Sequence, residues 1–112
     1  MEFKEFTNQN GVSYLKDYLD TLETKDRIKI LDKLILYEKL SFLQLSKDGK
    51  LKHLEGKLYE MRVRVGNAQY RFLGTTHEGD FWIVHCFLKK SDRIKKKDKE
   101  IGMSRINQLL IK

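Results

Sequence analysis

Apolar residues near the start of the chain recur at the spacing of amphipathic helices. Between residues 11 and 22 they lie three or four positions apart, and the same period runs from Thr24, as helix N-cap, to about residue 45. Only one or two residues separate these segments, so they are predicted to form an antiparallel helical hairpin that ends at Asp48-Gly49. Residues 2–6 predict a short strand before the hairpin.

The hydrophobic period changes to two in the second half of the chain. Residues 58–65 alternate between apolar and charged side chains, Gly66-Asn67 suits a type II′ turn, and residues 68–76 alternate again. Residues 81–88 are almost continuously apolar, which is typical of a strand covered on both faces, and residues 92–111 return to helical spacing. The predicted order is β-α-α-β-β-β-α, a single α+β domain over residues 1–112. An N-terminal strand and the helical hairpin pack on an antiparallel sheet, followed by a C-terminal helix.

The predicted turn determines which side chains face each other across the two strands. Counting outward from Gly66-Asn67 places Arg62 opposite Arg71 on the face away from the core. Like charges in this position destabilise a sheet by up to about 1 kcal/mol, a cost that an anion between them removes. Two guanidinium groups can grip a phosphate. Alternatively, one arginine pairs with Glu60 or Glu55 and the other reaches into solvent.

Positive charge is concentrated in the second half of the chain. The sequence has 23 basic and 16 acidic residues, a net charge of +7. Residues 1–46 carry a net −1, residues 47–72 +4, residues 73–88 −2 and residues 89–112 +6. This distribution indicates a surface that faces a polyanion, although a solvated cationic surface has the same composition.

Several classes of protein do not fit the sequence. The single cysteine, Cys86, forms no internal disulfide and fits a reducing, cytoplasmic location. We expect no signal peptide and no membrane span. The three histidines and Cys86 lack the spacing of metal ligands, and His85 alternates with Ile83 and Phe87 on the predicted inward side of its strand. We therefore expect no metal and no other cofactor.

Three segments resemble motifs of the RelE/ParE superfamily of type II toxins, and most closely its HigB-like, phage-derived branch. They are residues 54–63 (LEGKLYEMRV), 69–72 (QYRF) and 84–91 (VHCFLKKS). The branch has a similar pattern, L-x-G-L-Y-E-L-R, then Y-R, then H-x-F-x-K-K. The segments occur in the same order, and the resemblance extends over nearly the whole chain.

The resemblance implies the toxin component of a toxin–antitoxin system. Such an mRNA interferase is an endoribonuclease that inhibits translation by cleaving messenger RNA on the ribosome, without a metal. The ribose 2′-hydroxyl attacks the adjacent phosphate, so the protein supplies proton transfer and charge stabilisation. The implied partners are a cognate antitoxin, which is a small helix-turn-helix protein, and the ribosome with its messenger RNA, but no membrane.

The resemblance also implies roles for individual residues. Arg71 matches the arginine that holds the scissile phosphate, and Arg62 matches a basic position of the same groove. The expected catalytic residues are Arg71, Arg62, Lys90, Glu60 and His85. The expected RNA-binding residues are Lys57, Lys89, Arg64, Lys95, Lys96 and Lys97.

The chain departs from the best-known ribonucleases of the superfamily at the groups that move protons. Glu60 stands where some active members carry lysine, and no tyrosine or histidine follows Lys90 as general acid. Such groups typically contribute about 10²- to 10⁴-fold each. Two alternatives on the same fold therefore remain open: a ParE-like inhibitor of DNA gyrase that cleaves nothing, and a degenerate module that only binds its antitoxin.

Overall fold

A computed structural model describes residues 1–90 and 93–111 of the chain. Its strands are β1 (Phe3–Glu5), β2 (Leu51–Glu55), β3 (Leu58–Val65), β4 (Ala68–His77) and β5 (Asp80–Leu88). Its helices are α1 (Tyr14–Asp20), α2 (Thr24–Glu38), α3 (Phe42–Lys47) and α4 (Lys96–Ile111). The strands form one five-stranded sheet in the order β1-β5-β4-β3-β2, so the predicted α+β class is confirmed.

The second helix of the predicted hairpin differs from the prediction. The single helix predicted up to about residue 45 is two helices, because α2 ends at Glu38 and α3 begins at Phe42. Ser41 caps α3, and its hydroxyl accepts a hydrogen bond from the backbone N–H of Gln44 at 3.1 Å. Thr24 is the first residue of α2 rather than its N-cap, which is Glu23. The apolar period continues across the break, so periodicity alone concealed it.

The sheet also differs from the prediction at both edges. β2 is an additional edge strand, antiparallel to β3, and its mostly exposed side chains show no apolar alternation that would have revealed it. β1 pairs with β5 in parallel, so the sheet is mixed and not purely antiparallel. The sequence of a three-residue strand does not indicate whether it pairs in parallel or antiparallel. The direction of β1 depends on how the chain continues through the helical hairpin.

The central hairpin has the predicted register. Gly66 lies in the left-handed region with φ +61, as the first position of a type II′ turn requires, and Arg62 pairs with Arg71. On the other face Met61 pairs with Phe72, and both are fully buried. The two arginines therefore lie side by side on the sheet, as the counting argument predicted.

Helices cover the two faces of the sheet unequally. The buried residues of α1, α2 and α3 pack with Met61, Phe72 and their neighbours on one face. On the other face α4 contributes Ile106 and Leu109 to a smaller core. Within the described residues, no helix is both long and apolar enough to cross a membrane.

A bulge in β5 changes which face His85 occupies relative to its neighbours. Leu73 pairs with His85 and Gly74 with Ile83, so Val84 has no partner in β4. Ile83 belongs to the core under the helical hairpin, whereas His85 lies opposite Leu73 on the α4 face. The predicted alternation of His85 with Ile83 is therefore wrong, and the bulge is the reason.

Candidate functional site

An open groove of about 880 Å³ lies on the α4 face of the sheet. Its floor comes from β3, β4 and the end of β5, and one wall consists of residues 93–95 together with the first turn of α4. Apolar side chains such as Leu54, Phe87 and Ile94 contribute to the lining between the charged groups. The groove is accordingly wide, partly apolar and open to solvent.

The described lining of the groove is strongly basic. Among residues 1–90 and 93–111, the lining has two acidic residues, Glu60 and Asp98, and nine basic ones: Lys52, Arg62, Arg71, Lys89, Lys90, Arg93, Lys95, Lys97 and Lys99. The net charge of these lining residues is +7, and the other residues of the sequence are fourteen basic and fourteen acidic. A concave surface lined by charges of one sign raises the local concentration of oppositely charged ligands.

The carboxylate of Glu60 lies between the two facing arginines. Its Oε1 accepts a hydrogen bond from Nε of Arg62 at 3.0 Å and lies 3.5 Å from Nε of Arg71. Glu60 is 6% exposed and Arg71 5% exposed, whereas the Arg62 side chain reaches the groove with 40% of its surface exposed. An internal anion therefore offsets the like-charge repulsion, and both arginines pair with Glu60 rather than one reaching into solvent.

Arg71 is held rigidly in the floor of the groove. Its Nη2 donates to Oε1 of Gln69 at 3.0 Å, on the same face of β4. Burial lowers the pKa of Arg71 from its usual 12.5, partly opposed by Glu60, but a guanidinium remains charged at neutral pH. Arg71 is therefore an oriented, permanent cation.

The His85 ring has a polar contact at each nitrogen. Nε2 is 2.8 Å from Oδ1 of Asp98, and Nδ1 is 3.4 Å from Nη1 of Arg105. Burial lowers the pKa of His85 below its usual 6.5, against the opposing effect of Asp98, so the ring is neutral at pH 7. The sequence did not point to Asp98 or Arg105, because their proximity to His85 depends on how α4 docks.

Three of the six expected RNA-binding residues meet in the groove. Lys89, Lys95 and Lys97 line it, as does the expected catalytic residue Lys90. Three others lie outside its lining: Lys57, Arg64 and Lys96. Arg64 donates from Nε to the carbonyl of Gly66 at 3.1 Å, and the Lys96 side chain is 91% exposed beside Glu100.

Tyr18 is a groove residue that the sequence did not single out. It is half-buried at the end of the groove, and burial raises the pKa of its hydroxyl to about 12. It therefore offers a neutral O–H beside the cations. The helical spacing of Tyr18 in α1 indicated only a core residue, since an amphipathic pattern cannot show that a side chain packed against the core also lines a groove.

Among the described residues, neither Cys86 nor a group of metal ligands belongs to the groove. Cys86 is buried in the core under the helical hairpin, and burial raises the pKa of its thiol, so it remains a protonated core residue. Within residues 1–90 and 93–111, no three His, Cys, Asp or Glu side chains are grouped as a metal site. The charged side chains in the described lining are arginines, lysines and the carboxylates of Glu60 and Asp98.

Fold and groove together define a small α+β protein with a strongly basic, arginine-lined cleft on one face of a mixed sheet. The phage-derived Gp49-like protein family matches residues 17–107, which is most of the chain. The chain belongs to that family, whose members are toxin-like proteins of the RelE/HigB type. A toxin-like protein of this kind has an antitoxin as its general partner. No curated protein sequence matches the chain significantly.

Proposed function

We propose that the chain is the toxin of a type II toxin–antitoxin system and that its groove cleaves messenger RNA on the ribosome. The Arg62–Arg71 pair carries this proposal, because it places two guanidinium groups side by side in the floor of a groove with net charge +7. A flexible single strand can follow such a surface with its phosphates against the cations. The Gp49-like family membership supports the toxin role.

The arginine pair is suited to a phosphate that gains charge during the reaction. Glu60 engages the Nε–H groups of the pair, and each guanidinium has five N–H donors, so others remain for phosphate oxygens. Donors that are fixed before the reaction stabilise developing charge without reorganisation. The burial of Arg71 keeps its donors oriented.

Two groove residues expected to be catalytic, Glu60 and Lys90, transfer the protons in this proposal. In the proposed reaction Glu60 accepts the proton of the ribose 2′-hydroxyl as its oxygen bonds to phosphorus. The bond from phosphorus to the 5′-oxygen breaks, and Lys90 gives that oxygen a proton. The products are a 2′,3′-cyclic phosphate and a 5′-hydroxyl. This scheme needs no metal, and the remaining lysines of the groove bind neighbouring phosphates.

One observation favours the alternative of a binding toxin that cleaves nothing. Glu60 already occupies the space between the arginines, and both nitrogens of His85 contact other side chains. A groove in this state can hold a polyanion or an acidic partner without exchanging protons with it. A ParE-like gyrase inhibitor and a degenerate antitoxin-binding module would both work in this way.

Mapping of transcripts in cells separates the two proposals. After induction of the chain, primer extension should show new 5′ ends inside translated codons, and fewer when translation of the same message is blocked. The Arg71→Ala variant should lose these ends and its toxicity while it still binds the antitoxin. Growth arrest with intact transcripts would exclude the endoribonuclease and favour the binding toxin.

A further inference from the structure

The beginning of α4 is attached to the sheet without a buried apolar side chain. No residue in 93–101 is buried, whereas Gly102, Ile106 and Leu109 further along α4 are. The same segment forms one side of the groove through four residues, the basic wall: Arg93, Lys95, Lys97 and Lys99. Ile94 packs against the smaller core while partly exposed, so polar contacts must supply the rest of what holds the basic wall in place.

One short contact of this segment joins Asp98 to His85. Oδ1 of Asp98 lies 2.8 Å from Nε2 of His85, and the two side chains are only 19% and 15% exposed. Arg105, two turns further along α4, donates from Nη1 to the Val84 carbonyl at 2.9 Å and reaches Nδ1 of His85 at 3.4 Å. Its guanidinium also stacks 3.3 Å above the Tyr14 ring, which fixes its direction.

The partners of the His85 ring determine its tautomer. Arg105 has only N–H donors, so Nδ1 of His85 must accept and carry no proton. The proton of the neutral ring then lies on Nε2, which donates to Asp98. Both nitrogens are occupied by protein groups, so the ring offers neither a free proton nor a free lone pair to a substrate.

We propose that Asp98 and His85 form a latch that positions the basic wall for RNA, and that His85 is a positioning residue rather than a proton donor. This inference rests on the proposed function for its consequence, since RNA is the ligand that the wall would meet. The latch acts by fixing where the cations of residues 93–99 point. Without the latch the cations of residues 93–99 are still present, but their positions are no longer fixed.

Removal of Asp98 tests the latch decisively, because electrostatics and the latch predict opposite changes in RNA affinity. Asp98→Ala takes a negative charge out of the groove, and electrostatics by itself would then tighten RNA binding. We expect instead that Asp98→Ala weakens binding of a single-stranded RNA oligonucleotide about tenfold, a change of roughly 1.4 kcal/mol. Glu100→Ala is the matched control, because it removes the same charge from the exposed side of α4, where Glu100 contacts Lys96.

Substitutions of His85 distinguish positioning from proton transfer. His85→Gln keeps a donor for Asp98 and an acceptor for Arg105, so we expect near-normal RNA affinity and turnover. His85→Ala should raise KM about tenfold, with a smaller effect on kcat. If His85→Gln loses kcat as completely as His85→Ala while RNA affinity is unchanged, His85 transfers a proton and the proposal is wrong.

Hydrogen exchange of the RNA-free protein tests the latch independently of any activity. Lys99 is the first amide of this segment to donate to a carbonyl one turn earlier, that of Lys95. Amides of residues 99–102 should therefore exchange faster in Asp98→Ala and His85→Ala than in the parent chain or in Glu100→Ala. Exchange in β3 and β4 should be unchanged, which shows that the fold is intact. Unchanged exchange at 99–102 in both variants would exclude the latch. Faster exchange in the two variants, together with a parent chain that cleaves no RNA, would confirm the latch and overturn the proposed function.

Discussion

At the scale of single residues, the most informative feature is the anion between Arg62 and Arg71. The register that brings the arginines together was predictable, because a two-residue turn leaves no freedom in strand pairing. The position of the Glu60 carboxylate was not, since a side chain two residues away on the same face can equally well reach solvent. Only packing in the groove floor, where Glu60 is 6% exposed, selects the bridging arrangement.

Replacing that carboxylate tests whether the arginine pair is an anion site. Glu60→Gln keeps the size of the side chain but leaves two adjacent guanidinium groups without a counter-charge. We expect the free energy of unfolding to fall by roughly 2 kcal/mol, the range of hydrogen bonds to charged groups. Inorganic phosphate should then raise the melting temperature of Glu60→Gln more than that of the parent chain.

The control for this measurement is an acidic residue away from the arginine pair. Glu100→Gln changes the same functional group on the exposed side of α4 and should melt like the parent chain at every phosphate concentration. Equal phosphate shifts in the parent chain and in Glu60→Gln would show that the arginines hold no exchangeable anion.

At the scale of elements, the strands of the central hairpin were predictable to within a residue and the helix ends were not. Alternation over eight to ten residues bounded by Gly66-Asn67 is a strong local signal. The bulge opposite Gly74 arises from contact between two strands, which no single-strand pattern contains. It is nevertheless this bulge that directs His85 into the groove.

Two glycines make a matched pair that tests the importance of the bulge. A Cβ at Gly74 would lie 2.2 Å from the backbone oxygen of Trp82, which cannot move without breaking the strand pairing. A Cβ at Gly102 would lie 3.1 Å from the tip of Leu58 and 3.2 Å from that of Leu73, which can rotate. Alanine is also favoured over glycine in a helix by about 1 kcal/mol.

We therefore expect opposite outcomes from the two substitutions in urea denaturation. Gly74→Ala should lower the free energy of unfolding by roughly 3 kcal/mol or more, within the range for backbone strain and steric overlap. Gly102→Ala should remain within about 1 kcal/mol of the parent chain, because helix propensity offsets the tight contact. A Gly74→Ala protein as stable as Gly102→Ala would contradict the described geometry of the bulge.

At the scale of the whole molecule, the described lining of one concave surface has the same net charge, +7, as the whole sequence. The sequence showed that the positive charge lies in the second half of the chain, but it did not show that the charge gathers in one groove. The groove forms because β2, the end of β5 and the start of α4 meet, and this follows from the order of the strands in the sheet and from the docking of α4. Lys52 and Lys99 join the groove for this reason, although neither belongs to a recognisable motif.

This distribution makes a prediction about salt. Binding of single-stranded RNA should weaken linearly on a plot of log affinity against log salt concentration, with a slope of about −0.7 per phosphate contacted. Lys95→Gln and Lys89→Gln, which change groove residues, should each make the slope shallower by about 0.7. Lys29→Gln, on the exposed side of α2, should leave the slope unchanged. Equal effects of all three variants would mean that binding does not depend on the groove.

The most direct test of the central claim, that this groove cleaves messenger RNA on the ribosome, is a purified translation reaction with one defined message. With the parent chain we predict cuts inside codons that ribosomes occupy, ending in 2′,3′-cyclic phosphate, and an intact message when ribosomes are omitted. Arg71→Ala should slow the cuts about 10²- to 10³-fold, as for loss of one donor to a charged transition state. An intact message with the parent chain, or equal cutting by Arg71→Ala, would contradict the account.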